Sequence, residues 1–160
     1  MDEATLRSIY HDDATEDRGP FVGNAQDWVA WALNNLSVAA VTHHGILNSL
    51  IEFTGDIAYG ETYFHAYHRF GAAPTAMIKD ISWPEGDMEL ILGGRYLDRF
   101  ERRDCKWKIA YRKTVRDWCR TQAVADGWFY SNPTAHRGTR NIADARLETV
   151  VCPAPAPTTE

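Results

Sequence analysis

Few side chains in this 160-residue chain have the type and spacing to do chemistry: His43-His44, His65-x-x-His68, Arg112 and three cysteines. An imidazole can take or give a proton near neutral pH, and paired imidazoles or thiolates can hold a metal. Cys105, Cys119 and Cys152 are odd in number and lack C-x-x-C spacing. That argues against a disulfide framework or zinc site and points to a reducing, cytoplasmic setting. Residues three apart on a strand point to opposite faces, so His65 and His68 do not converge on one metal. His44 remains as the acid–base candidate. A lone His on an apolar strand face is more often a hydrogen-bonded core residue, and a strand arginine such as Arg112 is most simply a surface group.

The elements that would position these groups follow from pattern. The chain is 44% hydrophobic and 24% charged, with six Trp, seven Tyr and six Phe. That is the composition of one globular domain with an aromatic core or an aromatic-lined pocket. A net charge of −5, with no basic run beyond Arg102-Arg103, leaves no electrostatic footprint for nucleic acid. The apolar runs are too short to span a membrane, and the acidic N-terminus has no signal-peptide pattern. Residues 2–10 read as a helix end. The stretch HDDATEDRGPFVG reads as a polar turn, with Asp12-Asp13 terminating the helix. A second helix starts at Asn24 as N-cap, with Val29, Ala32/Leu33 and Leu36 as its stripe.

From Val41 the period changes to two. Val41–Phe53 and Ile57–Phe70 form a hairpin about Thr54-Gly55-Asp56, and Met88–Arg102 and Lys106–Trp118 form a second about Arg103-Asp104-Cys105. Gly93-Gly94 marks a bulge or a close approach. Residues 72–87 are a long connection, 120–150 are ambiguous, and 151–160 are a Pro/Ala-rich tail beyond a single domain spanning 1–150. Helices followed by antiparallel hairpins predict an α+β domain with helices on one face of a curved sheet. Alternation then puts His44, Ile46, Asn48, Leu50 and Glu52 on one face, opposite Gly60, Thr62, Phe64 and Ala66. In that register Phe53 faces Ile57, His44 faces Ala66 and Asn48 faces Thr62. Tyr59, Glu61, Tyr63, His65, Tyr67 and Arg69 take the other face, suited to a wet surface or a subunit interface.

Three ordered segments, YHDDATEDRGPFVG, THHGILNSLIEFTGDIAYGETYF and GGRYLDRFERRDCKWKIAYRKTVRDW, resemble the SnoaL-like group of the nuclear-transport-factor-2-like superfamily. The resemblance covers nearly all of residues 2–120. It implies a conical barrel of strongly curved antiparallel sheet packed on N-terminal helices, and a homodimer or homotrimer. It also implies dehydratase, dehydrohalogenase or isomerase chemistry on a hydrophobic cyclic small molecule, of polyketide or steroid-like type, without a cofactor. Carried onto this chain, His44 matches the general base and Arg112 a pocket arginine. Asn48, Phe64, Ala66, Leu92, Gly94 and Tyr96 match substrate-binding wall positions. The Asp that orients the base in relatives would fall just before Met1. The first helix therefore reads as truncated, and Asp2 or Asp12 are the alternative acids. A binding or assembly role without chemistry is the alternative function.

Overall fold

The computed structural model describes residues 2–71, 86–134 and 138. The expected Pro/Ala tail and most of the 72–87 connection lie outside the described residues. Residues 2–125 form one unit and a second begins at Asp126.

In the first unit, α1 (Glu3–Ser8) starts where the Asp2 carboxylate accepts from the Thr5 N–H at 2.9 Å and the Thr5 hydroxyl at 2.7 Å. The chain then enters β1 (Tyr10–Asp17) and β2 (Val22–Asn24). The Asn24 side chain accepts from the Gln26 N–H at 2.7 Å and caps α2 (Ala25–Ser37), as its sequence position predicts. Ala25, Val29, Ala32 and Asn35 are the buried face of α2. Ala25 and Val29 pack with Tyr10, Ala14 and Ile109 into one core cluster, with Leu6, Trp28, Leu33 and Phe100 at its margin. Four long strands follow: β3 (Ala39–Thr54), β4 (Ile57–Phe70), β5 (Met88–Arg103) and β6 (Lys106–Ala123). In the second unit Gly127–Ser131 forms the short helix α3.

The sheet order is β2-β1-β6-β5-β4-β3. All neighbours are antiparallel except β1 and β6, which run parallel. This is the expected α+β class, with a curved cone of sheet that stays open between the edge strands β2 and β3. No described helix is long and apolar enough to cross a membrane.

Tyr10, expected at a helix end, and residues 11–17, expected as a turn, form a strand. Their burial does not alternate cleanly, because the register against β6 shifts between Tyr10 and Thr15. A period-two search therefore misses them. The first hairpin also differs from its expected register, in two ways that offset each other. Its loop is Gly55-Asp56 alone, so Thr54 pairs with Ile57 and Phe53 with Ala58. A bulge between Ile46 and Ser49 then absorbs one residue, which restores the expected pairs Ile46–Phe64 and His44–Ala66. Between loop and bulge the faces are exchanged. Ser49, not Asn48, lies opposite Thr62, and Ile51 and Phe53 join the row of His44.

The second hairpin turns through Asp104-Cys105, both at positive φ (50° and 60°), which fits a primed two-residue turn in which neither residue is Gly. The register shifts again between Gly93 and Gly94, as the paired glycines predict. A Cβ on Gly94 would sit 2.0 Å from the Val115 carbonyl oxygen, and one on Gly93 2.6 Å from the Trp118 ring. The Gly94 clash is with backbone and cannot be relieved by a rotamer. Gly94→Ala is expected to lower stability by about 1–3 kcal/mol in urea unfolding. At Gly45 the nearest atom to an added Cβ is 3.9 Å away, so Gly45→Ala should move the midpoint far less.

Candidate active site

The inner face of the cone is built from the rows that alternation brings together. His44 and Ile46 come from β3; Phe64, Ala66 and His68 from β4; Leu92, Gly94, Tyr96 and Asp98 from β5; Arg112 from β6. Glu16 stands beside Arg112 through the β1–β6 pairing.

His44 and His68 meet there. Their Nε2 atoms are 2.9 Å apart, the rings lie edge to face with centroids 4.9 Å apart, and His68 is buried. One of the two nitrogens must carry the hydrogen and the other the lone pair. Nδ1 of His44 makes no hydrogen bond among the described residues. For that nitrogen to accept a proton, Nε2 of His44 must be the donor and Nε2 of His68 the acceptor. His44 as a residue stays open to solvent while its Nε2 edge is walled in by His68. Its pKa is pushed below the ordinary 6.5, first by burial, then by the positive charge of Arg18 and by His43. The imidazole is therefore neutral at physiological pH. The partner of His44 is neither Asp2, which caps α1, nor Asp12, which is exposed on β1.

Below this pair lies a layer of buried charge. Glu16 is wholly buried; its carboxylate accepts from the Tyr10 hydroxyl and from Arg18 Nε at 2.7 Å and Nη2 at 3.2 Å. Burial and Glu16 together raise the Tyr10 phenol far above its normal range. The Arg18 guanidinium lies 4.2 Å over the Trp28 ring and 5.3 Å from the Tyr96 ring. Arg112, expected as a surface group from its type alone and as a pocket arginine from the resemblance, is largely buried and donates to Asp98 through Nε and Nη2, both at 2.7 Å. Burial alone would depress its pKa, but the Asp98 hydrogen bonds outweigh it and the guanidinium stays charged. Its charge also lies 4.2 Å from the Tyr96 ring, which stacks on Phe64 at 4.4 Å.

Of the residues singled out in the sequence, the structure brings His44, Phe64, Ala66, Leu92, Gly94, Tyr96 and Arg112 to one face. Asn48 does not join them. The bulge leaves it with Leu47 opposite Tyr63, on the outer side. The expected opposite facing of His65 and His68 holds: His65 packs near Trp118 at 5.8 Å while His68 reaches His44. The described residues contain no group of His, Cys, Asp or Glu able to hold a metal. Sequence reading misses Glu16, Arg18 and Asp98, because two lie in the stretch that reads as a turn and the third has no motif. His68 is visible there only as half of a failed metal pair. An open groove of about 520 Å³ is lined by Leu50, Tyr59, Leu97 and Tyr111 together with Gly60 and Asp98, and shares only its Asp98 edge with the charged layer. It is distinct from the wall around His44.

A SnoaL-like domain model matches residues 1–113. The chain belongs to the SnoaL-like domain family. No curated protein matches the sequence. Among solved structures, this SnoaL-like domain is similar to the hexachlorocyclohexane dehydrochlorinase LinA-type3 from Novosphingobium barchaimii LL02, with TM-score 0.61 and 21% identity over 76% of this chain and 77% of that one. It is also similar to a provisionally named scytalone dehydratase from Novosphingobium aromaticivorans, with TM-score 0.58 and 21% identity over 77% and 76%. A third is a protein from Kribbella flavida, with TM-score 0.58 and 16% identity over 73% and 78%. At these identities the likeness is one of fold.

The buried pairs give a direct test of the layer. Asp98→Ala strands the Arg112 cation in a largely dry site and is expected to cost about 3 kcal/mol or more in urea unfolding. Removing both charges with Asp98→Ala/Arg112→Met should recover part of that loss.

Proposed function

We propose that this domain is a cofactor-independent lyase or isomerase, of dehydratase or dehydrohalogenase type, with His44 as general base. Its substrate would be a hydrophobic cyclic small molecule, of polyketide or steroid-like character. The observation that carries the reading is the His44–His68 contact, with the depressed pKa of His44 beside an apolar wall. A neutral imidazole tethered at Nε2 leaves Nδ1 to take a proton from carbon. The Nε2–H then donates to His68 as the imidazolium forms. This is the orienting work that a carboxylate does in a triad, done by a neutral group and so with weaker stabilisation of the cation.

Arg112 would help hold the charge that develops on the departing or enolised oxygen or halide. Asp98 engages its Nε and Nη2, so Nη1 is the nitrogen without a protein hydrogen bond among the described residues. Phe64, Ala66, Leu92, Gly94 and Tyr96 would form the wall against which the ring lies. The likeness to a dehydrochlorinase and to a provisionally named scytalone dehydratase supports the reaction class.

The partner we propose besides the substrate is a second or third copy of the chain. Among the described residues strand β3 is an edge of the sheet, with exposed Leu47 (55%) and Leu50 (64%) beside exposed Tyr59 (54%). A long apolar edge left bare invites pairing or aggregation. Sedimentation at micromolar concentration should give a dimer or trimer, and Leu50→Asp should shift it to monomer; a monomeric wild type contradicts this reading.

Turnover of hydroxylated or halogenated cyclic substrates should fall by roughly 10²–10⁴-fold in His44→Ala. The base works unprotonated, and its pKa is lowered from 6.5, so kcat/KM should be level above pH 6.5 and decline only on the acid side of that value. Turnover unchanged in His44→Ala, or a rate that falls as pH rises through neutrality, would sink the assignment.

A further inference from the structure

On the same inner face one cation has no counter-ion among the described residues. Arg116 lies across from Gly94 on β5, four residue pairs along from Asp98–Arg112. Its Nη1 donates to the Arg18 carbonyl oxygen at 3.0 Å, and it makes no ion pair among the described residues. The carboxylate next to it in sequence is diverted. Asp117 lies at the register shift between Gly93 and Gly94 and is bonded to Arg95, at 3.1 Å to both Nε and Nη2. Arg18 and Arg112 are balanced by Glu16 and Asp98, so Arg116 leaves this layer with one surplus positive charge.

Arg116 is solvent-reachable yet partly desolvated. Burial first, and Arg18 second, lower its pKa. That hydrogen bond holds Arg116 beside Arg18, whose positive charge it feels, and an anion between the two cations would relieve their repulsion. Arg18 supplies a second donor, since its Nη1 is not used by Glu16. The groups that face the two arginines are Tyr10 and Glu16 from β1, Tyr96 from β5, Cys119 from β6, and His44 from β3 with His68 of β4 against it. Of these only Glu16 is an anion at neutral pH, and its carboxylate is already taken by Tyr10 and by Nε and Nη2 of Arg18.

We propose that Arg116 and Arg18 form an anion subsite on the cone's inner face, so that the substrate is a flat ring compound bearing a carboxylate or a comparably acidic oxygen. The proposal deepens the lyase reading by naming a substrate class, and rests on it for the word substrate; the subsite itself does not. An anion bound there sits where it also offsets the charge that Arg18 exerts on His44. Bound ligand should therefore raise the His44 pKa, and by linkage the anion should bind more tightly as pH falls through that pKa.

The test is equilibrium binding of 2-naphthoate against its neutral isostere, methyl 2-naphthoate, to the full chain. A charge-assisted contact predicts that the acid binds at least about tenfold more tightly than the ester. Arg116→Gln should bring the ratio close to one, while Arg116→Lys should retain part of it. Proton NMR should show the His44 titration shift upward when the acid, but not the ester, is bound. Equal affinity for acid and ester, failure of both to bind at millimolar concentration, or a ratio untouched by Arg116→Gln in a folded variant would each overturn the proposal. His44→Ala separates the two claims. It should lower turnover by the same roughly 10²–10⁴-fold yet keep the acid preference; lowered turnover with no acid preference in either protein leaves the lyase reading and removes the subsite.

Discussion

The Glu16 carboxylate has no contact with water, and much of the site follows from how the chain satisfies it. A buried carboxylate is tolerable only when donors surround it. Here the donors are the Tyr10 hydroxyl, six residues earlier on β1, and the Arg18 guanidinium, two residues later. Meeting that need keeps β1 alongside β6, with Glu16 next to Arg112, and turns Arg18 inward over Trp28. Asp98 repeats the solution one strand further on with Arg112. The outcome is a rigid charged floor capped by the Tyr96–Phe64 stack, and it sets the potential that His44 feels. The floor thus adds, after burial, to what keeps the base neutral.

The same floor explains why the catalytic reading does not need a carboxylate next to His44. A carboxylate there would raise the imidazole pKa and hold a proton on it near neutrality. A neutral His68 fixes the ring and leaves it unprotonated. The cost is a less stabilised imidazolium after proton transfer. A bound anion on Arg116 and Arg18 would recover part of that loss, so substrate charge and base strength would be coupled through Arg18.

Much of this is legible in the sequence, and the misses have physical causes. Asn24 capping α2, the two hairpins, the Gly93-Gly94 irregularity and the opposed faces of His65 and His68 all follow from local rules that tertiary contacts do not override. The expected β3–β4 register is right at His44 only because a loop one residue shorter than expected is offset by a bulge. Asn48, inside that bulge, falls on the wrong face as a result. Alternation cannot locate a bulge in a strand that is apolar on both sides, and β3 carries Ile46, Leu47, Leu50, Ile51 and Phe53 exposed. Strand β1 escapes a pattern search because its buried members include Glu16 and His11, polar residues whose burial only a three-dimensional network permits. The Arg112–Asp98 pair spans two strands and leaves no spacing to read.

The tautomer of His44 tests the account most directly, read by long-range proton–nitrogen NMR above pH 7. A base that works through Nδ1 while bonded to His68 through Nε2 must be the Nε2–H tautomer, with a bare Nδ1. His68→Leu should then release that preference. If His44 instead carries its hydrogen on Nδ1, or its tautomer is indifferent to His68, the imidazole pair is not the acid–base device and the account of the site fails.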